Sequence, residues 1–179
     1  LSSRKKRSFS HCEPCSDVVP VSEVFKAIDI GKIPPQATPA YGNFFRVNPV
    51  TLNANQPMRW NGTGRTAGIT LNPDTVTIEV AQAGDYYIDY YALVELDSST
   101  ALDALMGVFV NGSEVNPIQT RYGVQDLEAD RALCTPVSGG TIIFIPAGGT
   151  VQLRNVQVTP FSTCDGPALA ASINLIKVS

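Results

Sequence analysis

At 179 residues and 44% apolar content the chain can bury one proper core, and it reads most simply as a single domain preceded by an arm. Its net charge of −3 argues against a bulk electrostatic partner such as nucleic acid, and no apolar run is long enough to span a membrane. Thirteen prolines and fourteen glycines between short apolar runs predict many turns and few helices.

In chain order, residues 1–40 read as an arm. The basic run Arg4-Lys5-Lys6-Arg7 leads into a polar segment, so no secretory leader is expected in it. Cys12-Glu13-Pro14-Cys15 follows, and then a scatter of apolar residues that includes Val24, Phe25, Ile28, Ile30 and Ile33 before Pro34-Pro35. Five prolines in this span exclude a long helix, although residues 22–28 could make one or two turns. The arm is too apolar for a plain linker. Its valines, isoleucines and phenylalanine need a surface to bury against, so it is expected to dock.

From Tyr41 the pattern is all-β. Strands are expected at 44–47, 58–60, 69–71 and 75–80, the last with Val76, Ile78 and Val80 turned inward. Ala83-Gly84-Asp85 then turns the chain into the run on which the rest is organised. There Tyr86, Ile88, Tyr90 and Ala92 share one face, and Tyr87, Asp89, Tyr91 and Leu93 share the other. Both faces carry aromatic or aliphatic groups. A central strand is therefore expected, covered by an opposing sheet on one side and by a second subunit on the other. Residues 105–110 follow, with Asn111-Gly112 as the strongest hairpin signal and residues 115–121 as the returning strand. Residues 126–132 read as a loop or a helical turn. Residues 141–145 and 151–158 form a second hairpin around Pro146-Ala147-Gly148-Gly149, and residues 169–178 close the chain. Eight to ten strands at this spacing, with no helices between them, mean a sandwich or barrel.

The order of these features resembles the C1q/TNF-like jelly roll: an early aromatic strand, Ala-Gly-Asp-Tyr-Tyr-Ile, Phe109-Val110-Asn111-Gly112, Pro146-Ala147-Gly148-Gly149-Thr150-Val151-Gln152-Leu153, and a closing Ala-Ser-Ile-Asn-Leu-Ile. The likeness covers residues 41–179. Within that family the style is similar to the C-terminal domains of bacterial spore-surface glycoproteins and their exosporium anchoring partners. There is no Gly-X-Y stalk ahead of the domain, and the cysteine-bearing Ile-Pro-Pro arm stands in its place. The resemblance thus implies an all-β jelly-roll sandwich with an extended N-terminal arm, forming a homotrimer with Tyr86, Tyr87, Tyr90 and Tyr91 at its core and interface. It also implies a subunit of a spore-surface fibre or appendage, with a coat or exosporium protein as a further partner.

That topology places the arm. The first strand should pair antiparallel with the last and start at the end where the last one finishes, here the base. Cys134 and Cys164 then lie at the opposite end, the apex. Residues 12–40 fully extended reach about 90 Å, enough to enter a neighbouring trimer. An arm docking Val24, Phe25, Ile28, Ile30, Ile33, Pro34 and Pro35 there would make a non-closing contact, and hence a filament. The alternative is a terminal recognition head or tip adhesin that its arm anchors to a carrier.

Three cysteine readings stand open. Intersubunit disulfides could join Cys12 and Cys15 to Cys134 and Cys164. Alternatively, Cys134–Cys164 could be an intradomain staple, with Cys12 and Cys15 closing a small loop or cross-linking arms. In the third reading all four bind zinc, although only the first pair has zinc-site spacing. Both disulfide readings need an oxidising setting. No catalytic set, metal site or cofactor site is expected. His11, the only histidine, lies in the arm, away from any rigid scaffold. Asp103, Asp126, Glu128 and Asp130 lack a calcium-loop pattern. Asp85 is expected to cap a turn and Asp89 to form an interface salt bridge. Trp60, beside Arg59 and near Arg65, should pack at a sheet edge or trimer seam rather than stack a sugar or base. The sequons at Asn61 and Asn111 read as turns first.

Overall fold

A computed structural model of the chain describes residues 38–97, 103–126, 133–165 and 169–179. The expected arm, with Cys12, Cys15 and the docking residues, lies outside them. Thr38–Ser179 makes one compact unit. It begins slightly ahead of Tyr41, because Ala40 is buried and its carbonyl accepts the Lys177 amide.

Among the described residues there are thirteen strands and one short helix. The strands are β1 (Tyr41–Arg46), β2 (Thr51–Leu52), β3 (Gly62–Ala67), β4 (Ile69–Leu71), β5 (Ile78–Val80), β6 (Gly84–Leu96), β7 (Asp103–Val110) and β8 (Ser113–Glu114). After α1 (Pro117–Thr120) come β9 (Tyr122–Gln125), β10 (Leu133–Ile145), β11 (Gly149–Asn155), β12 (Phe161–Thr163) and β13 (Ala171–Lys177).

Two antiparallel sheets stack face to face. In the first, β10 runs along the whole of one edge of β6, and β13 and β12 share its other edge. β1 follows β13 and β3 follows β1, while β2 pairs with β12. The second sheet runs β4-β5-β11-β7, with β8 and β9 both on β7. The alternation expected along β6 is present. Tyr86, Ile88, Tyr90, Ala92, Val94 and Leu96 are all buried, against Ile173 and Leu175 of β13 and Met106, Val108, Val151 and Leu153 of the facing sheet. β1 pairs antiparallel with β13 over six residues, as expected. Tyr41 and Ile176 therefore lie at the base, and Cys134, opposite Glu95, lies at the apex.

Several expected elements differ. Residues 58–60 are not a strand; the Met58 amide donates to Leu153 of the second sheet and the Trp60 amide to Thr75 in the turn before β5, and the next residue, Asn61, donates its amide to Phe45 of the first sheet. Val76 precedes β5, because Thr75 adopts a left-handed φ of 63° and Asp74 accepts the Val76 and Thr77 amides in a tight turn. The Asn111-Gly112 turn forms with φ of 51° and 80°, the pair of positive values a two-residue hairpin requires. Its return strand is only two residues long. Asn116 (φ 37°) and Pro117, which has no N–H for a ladder, start α1 instead. The second hairpin is longer on its first arm and shorter on its second than expected.

Candidate interaction face

The outer side of the β6 sheet carries the side chains that the core does not use. Residues directly paired in a ladder project on the same face, so the register defines rows across the strands. One row runs Ile142–Tyr87–Ile176–Tyr41, across β10, β6, β13 and β1. All four are exposed, Ile142 at 58%, and Phe144 next to it on β10 is at 62%. Towards the apex another row runs Ser138–Tyr91–Ser172–Phe45, with its aromatic rings half-buried.

Between them lies a polar row, Gly140–Asp89–Asn174–Asn43. Asn43 Nδ2 donates to Asn174 Oδ1 at 2.6 Å, and Asn174 Nδ2 donates to Asp89 Oδ2 at 3.0 Å. The ladder points donor to acceptor towards the carboxylate and fixes its orientation. A groove of about 400 Å³ crosses the base side of this face, walled by Tyr41, Asn43, Arg65, Asp89, Asn174 and Ile176.

The four tyrosines of β6 divide between the two sides. Tyr86 and Tyr90 belong to the core, whereas Tyr87 and Tyr91 look outward. The Tyr90 hydroxyl lies 3.1 Å from the Met106 carbonyl and 2.9 Å from that of Thr120, and it accepts the Tyr122 amide at 3.2 Å. The Tyr122 ring meets Tyr90 edge-on at 5.9 Å and donates its own hydroxyl to the Gly140 carbonyl. Burial pushes the phenols of both Tyr86 and Tyr90 up. Gly139 and Gly140 make this packing possible. A methyl group at Gly139 would stand 2.0 Å from the Tyr122 ring, and one at Gly140 would stand 2.7 Å from the Tyr87 hydroxyl on the other side.

The cysteines require a correction. Cys134 is bonded to Cys164 within the domain, with their Cα atoms 5.9 Å apart. Cys134 opens β10 beside Glu95, and the Cys164 amide donates to Leu93, so both sulfurs reach the apical end of β6. The intradomain staple therefore stands, in place of cross-links from the arm to this pair. It also removes two of the four thiolates that a zinc site would need.

Other residues land differently from expectation. Trp60 is fully buried in the core rather than at an edge, and its indole N–H has no partner among the described residues. Its ring is thus closed to a sugar or base. Asp85 caps no turn; it accepts the Ser179 hydroxyl at 2.9 Å and so holds the end of the last strand. Asp103 accepts Gln157 Nε2 at 2.7 Å; Glu128 and Asp130 lie outside the described residues, as does His11. Among the described residues no group of three potential metal ligands converges, and no helix is long and apolar enough to cross a membrane. The exposed Ile142, Phe144, Ile176 and Tyr41 were not singled out from the sequence. The run Ile142-Ile143-Phe144-Ile145 held a signal, since apolar residues at consecutive positions must occupy both faces of a strand.

No known family pattern matches the sequence, and no curated protein is measurably similar to it. Solved structures are similar in shape. The Eiger TNF of S. frugiperda superposes with a TM-score of 0.60 at 14% identity, over 79% of this chain and 94% of that one. The globular domain of zebrafish complement 1qA superposes with a TM-score of 0.58 at 15% identity, over 78% and 98%. At such identities the likeness concerns the fold alone. The described chain is a jelly roll of the C1q/TNF type.

Proposed function

We propose that the protein is a self-assembling structural subunit with no catalytic role, trimerising through the outer face of the β6 sheet. The observation that carries this reading is the continuous row Ile142–Tyr87–Ile176–Tyr41 with Phe144 beside it. Five large apolar side chains on one flat face of four strands are more than a solitary subunit leaves to water. Trimers then join head to tail as residues 1–40 of one enter the next, docking Val24, Phe25, Ile28, Ile30, Ile33, Pro34 and Pro35. Proline suits such a plug because it loses little entropy on ordering and leaves no amide unpaired. The setting is a bacterial spore surface, with a coat or exosporium protein as anchor. A disulfide at the apex, with Cys134 exposed and Cys164 buried, supports an oxidising, external location.

Negative-stain electron microscopy tests the assembly. Full-length protein is expected to give long thin filaments, and a chain lacking residues 1–36 is expected to give discrete trimers only. Filaments from the truncated chain would remove the arm from the mechanism. Discrete trimers from the full-length chain, with and without reductant, would favour a terminal recognition head instead.

A further inference from the structure

We propose that the outer side of the second sheet carries a binding site for a neutral sugar, with the Asp103 carboxylate as its central acceptor. Along β7, Ala104 and Met106 are buried, so Asp103 and Leu105 project from the opposite side of the strand. The register sets Gln125 of β9 beside Asp103, and Gly123 beside Leu105. On the other edge the Val156 amide donates to the Leu105 carbonyl at 3.0 Å and brings Gln157 alongside. These residues wall a hollow of about 280 Å³, room for one sugar ring. A methyl group at Gly123 would stand 2.6 Å from Leu105 Cδ1, so only glycine lets the leucine lie across β9 as an apolar floor.

The lining selects the class of ligand. Asp103 Oδ2 accepts Gln157 Nε2 at 2.7 Å and Oδ1 accepts the Thr159 hydroxyl at 3.5 Å, which fixes the orientation of the carboxylate. Each of its oxygens keeps a lone pair beyond those contacts. The described lining holds no lysine, arginine or histidine, so nothing in it neutralises the acid. A carboxylate held this way can accept two neighbouring hydroxyls at once. The Gln125 amide, exposed at the rim, offers a donor and an acceptor to a third, and Leu105 meets the C–H face of a ring. Hydroxyls beside C–H groups are what a sugar presents. A metal ion fits poorly, because Asp103 is the only carboxylate in the described lining. An alkylammonium would satisfy the acid but has no acceptor for the amide N–H groups. In the filament proposed above the site recurs once per copy, and many weak sites along one fibre hold a glycan-covered surface that a single site would not.

Saturation-transfer NMR on the full-length chain tests the site, since this readout tolerates large assemblies. The probes are methyl α-glucoside, methyl α-mannoside and methyl β-galactoside. At least one is expected to bind with a Kd of about 1 mM, the strength that so small a ligand allows. Asp103→Asn keeps the size of the side chain but replaces one acceptor oxygen by a donor, and it is expected to weaken binding about tenfold or more. Gln125→Ala is expected to weaken it severalfold. Unchanged circular dichroism of Gln125→Ala, at an exposed position, separates loss of binding from loss of fold. A propylammonium probe is expected neither to bind nor to compete. No signal from any of the three glycosides, binding indifferent to both substitutions, or displacement by propylammonium would each overturn the proposal. The assembly reading concerns the opposite sheet and stands or falls separately.

Discussion

The Tyr90 hydroxyl holds together three segments that are distant in sequence: the Met106 carbonyl of β7, the Thr120 carbonyl ending α1 and the Tyr122 amide opening β9. Replacing it with phenylalanine keeps the ring and strands these groups in a buried site. Tyr90→Phe is therefore expected to lower unfolding stability by about 1–3 kcal/mol, read from urea denaturation midpoints at unchanged slope. The raised phenols of Tyr86 and Tyr90 also set an alkaline limit. The folded state keeps protons that the unfolded chain releases near the ordinary tyrosine value of about 10. Their contribution is fully present below that value and lost as pH rises above it. Absorbance titration at alkaline pH is expected to show these two tyrosines ionising only above the ordinary tyrosine range and together with unfolding. The inward and outward sets along β6 were legible because alternation is a local property of the sequence. The Tyr90 partners were not, since nothing within a few residues of Tyr90 points to Thr120 or Tyr122. Trp60 failed for a related reason. Its neighbours Arg59 and Asn61-Gly62 look like a sheet edge, yet the backbone around it bonds to two different sheets and carries the indole into the core.

At the scale of elements, the Cys134–Cys164 bridge clasps the far end of β6 by joining the start of β10 to the segment after β12. Thirty residues separate the two cysteines, and a loop of that length is worth about 3–4 kcal/mol by chain entropy. Reduction, or Cys134→Ser with Cys164→Ala, is expected to lower stability by that order. Hydrogen exchange is expected to rise first at residues 133–137 and 161–165. Four cysteines permit three complete pairings, and spacing alone does not choose among them; the choice depends on two strands meeting the same end of β6. Turn chemistry was more legible, because Asn111-Gly112 states its backbone requirement in two letters. The return strand failed at Pro117, whose missing N–H ends the ladder although apolar Val115 and Ile118 lie on either side of it. Ile118 is left at the surface.

For the whole molecule, the jelly roll could be read from the order of a few motifs because those motifs sit at turns and at the central strand. The interaction face could not, since each of its rows takes one residue from each of four strands that lie far apart in sequence. Register, which is set only when the sheet assembles, decides that Ile142, Tyr87, Ile176 and Tyr41 become neighbours. The truncation experiment belongs at this scale too. Removing residues 1–36 leaves the compact unit Thr38–Ser179 intact, so loss of filaments without loss of trimers would separate the two levels of assembly.

The pairing of β1 with β13 has a mechanical consequence. β1 enters the sheet at the base and runs towards the apex, held by six consecutive pairs to β13 and flanked on its other edge by β3. A tensile load arriving through the residues before Thr38 and balanced at the apex pulls β1 along its own axis. The hydrogen bonds on both edges then share the load in shear, rather than parting one after another as in a zipper. A filament strung together this way would carry tension through the stiffest direction of each subunit.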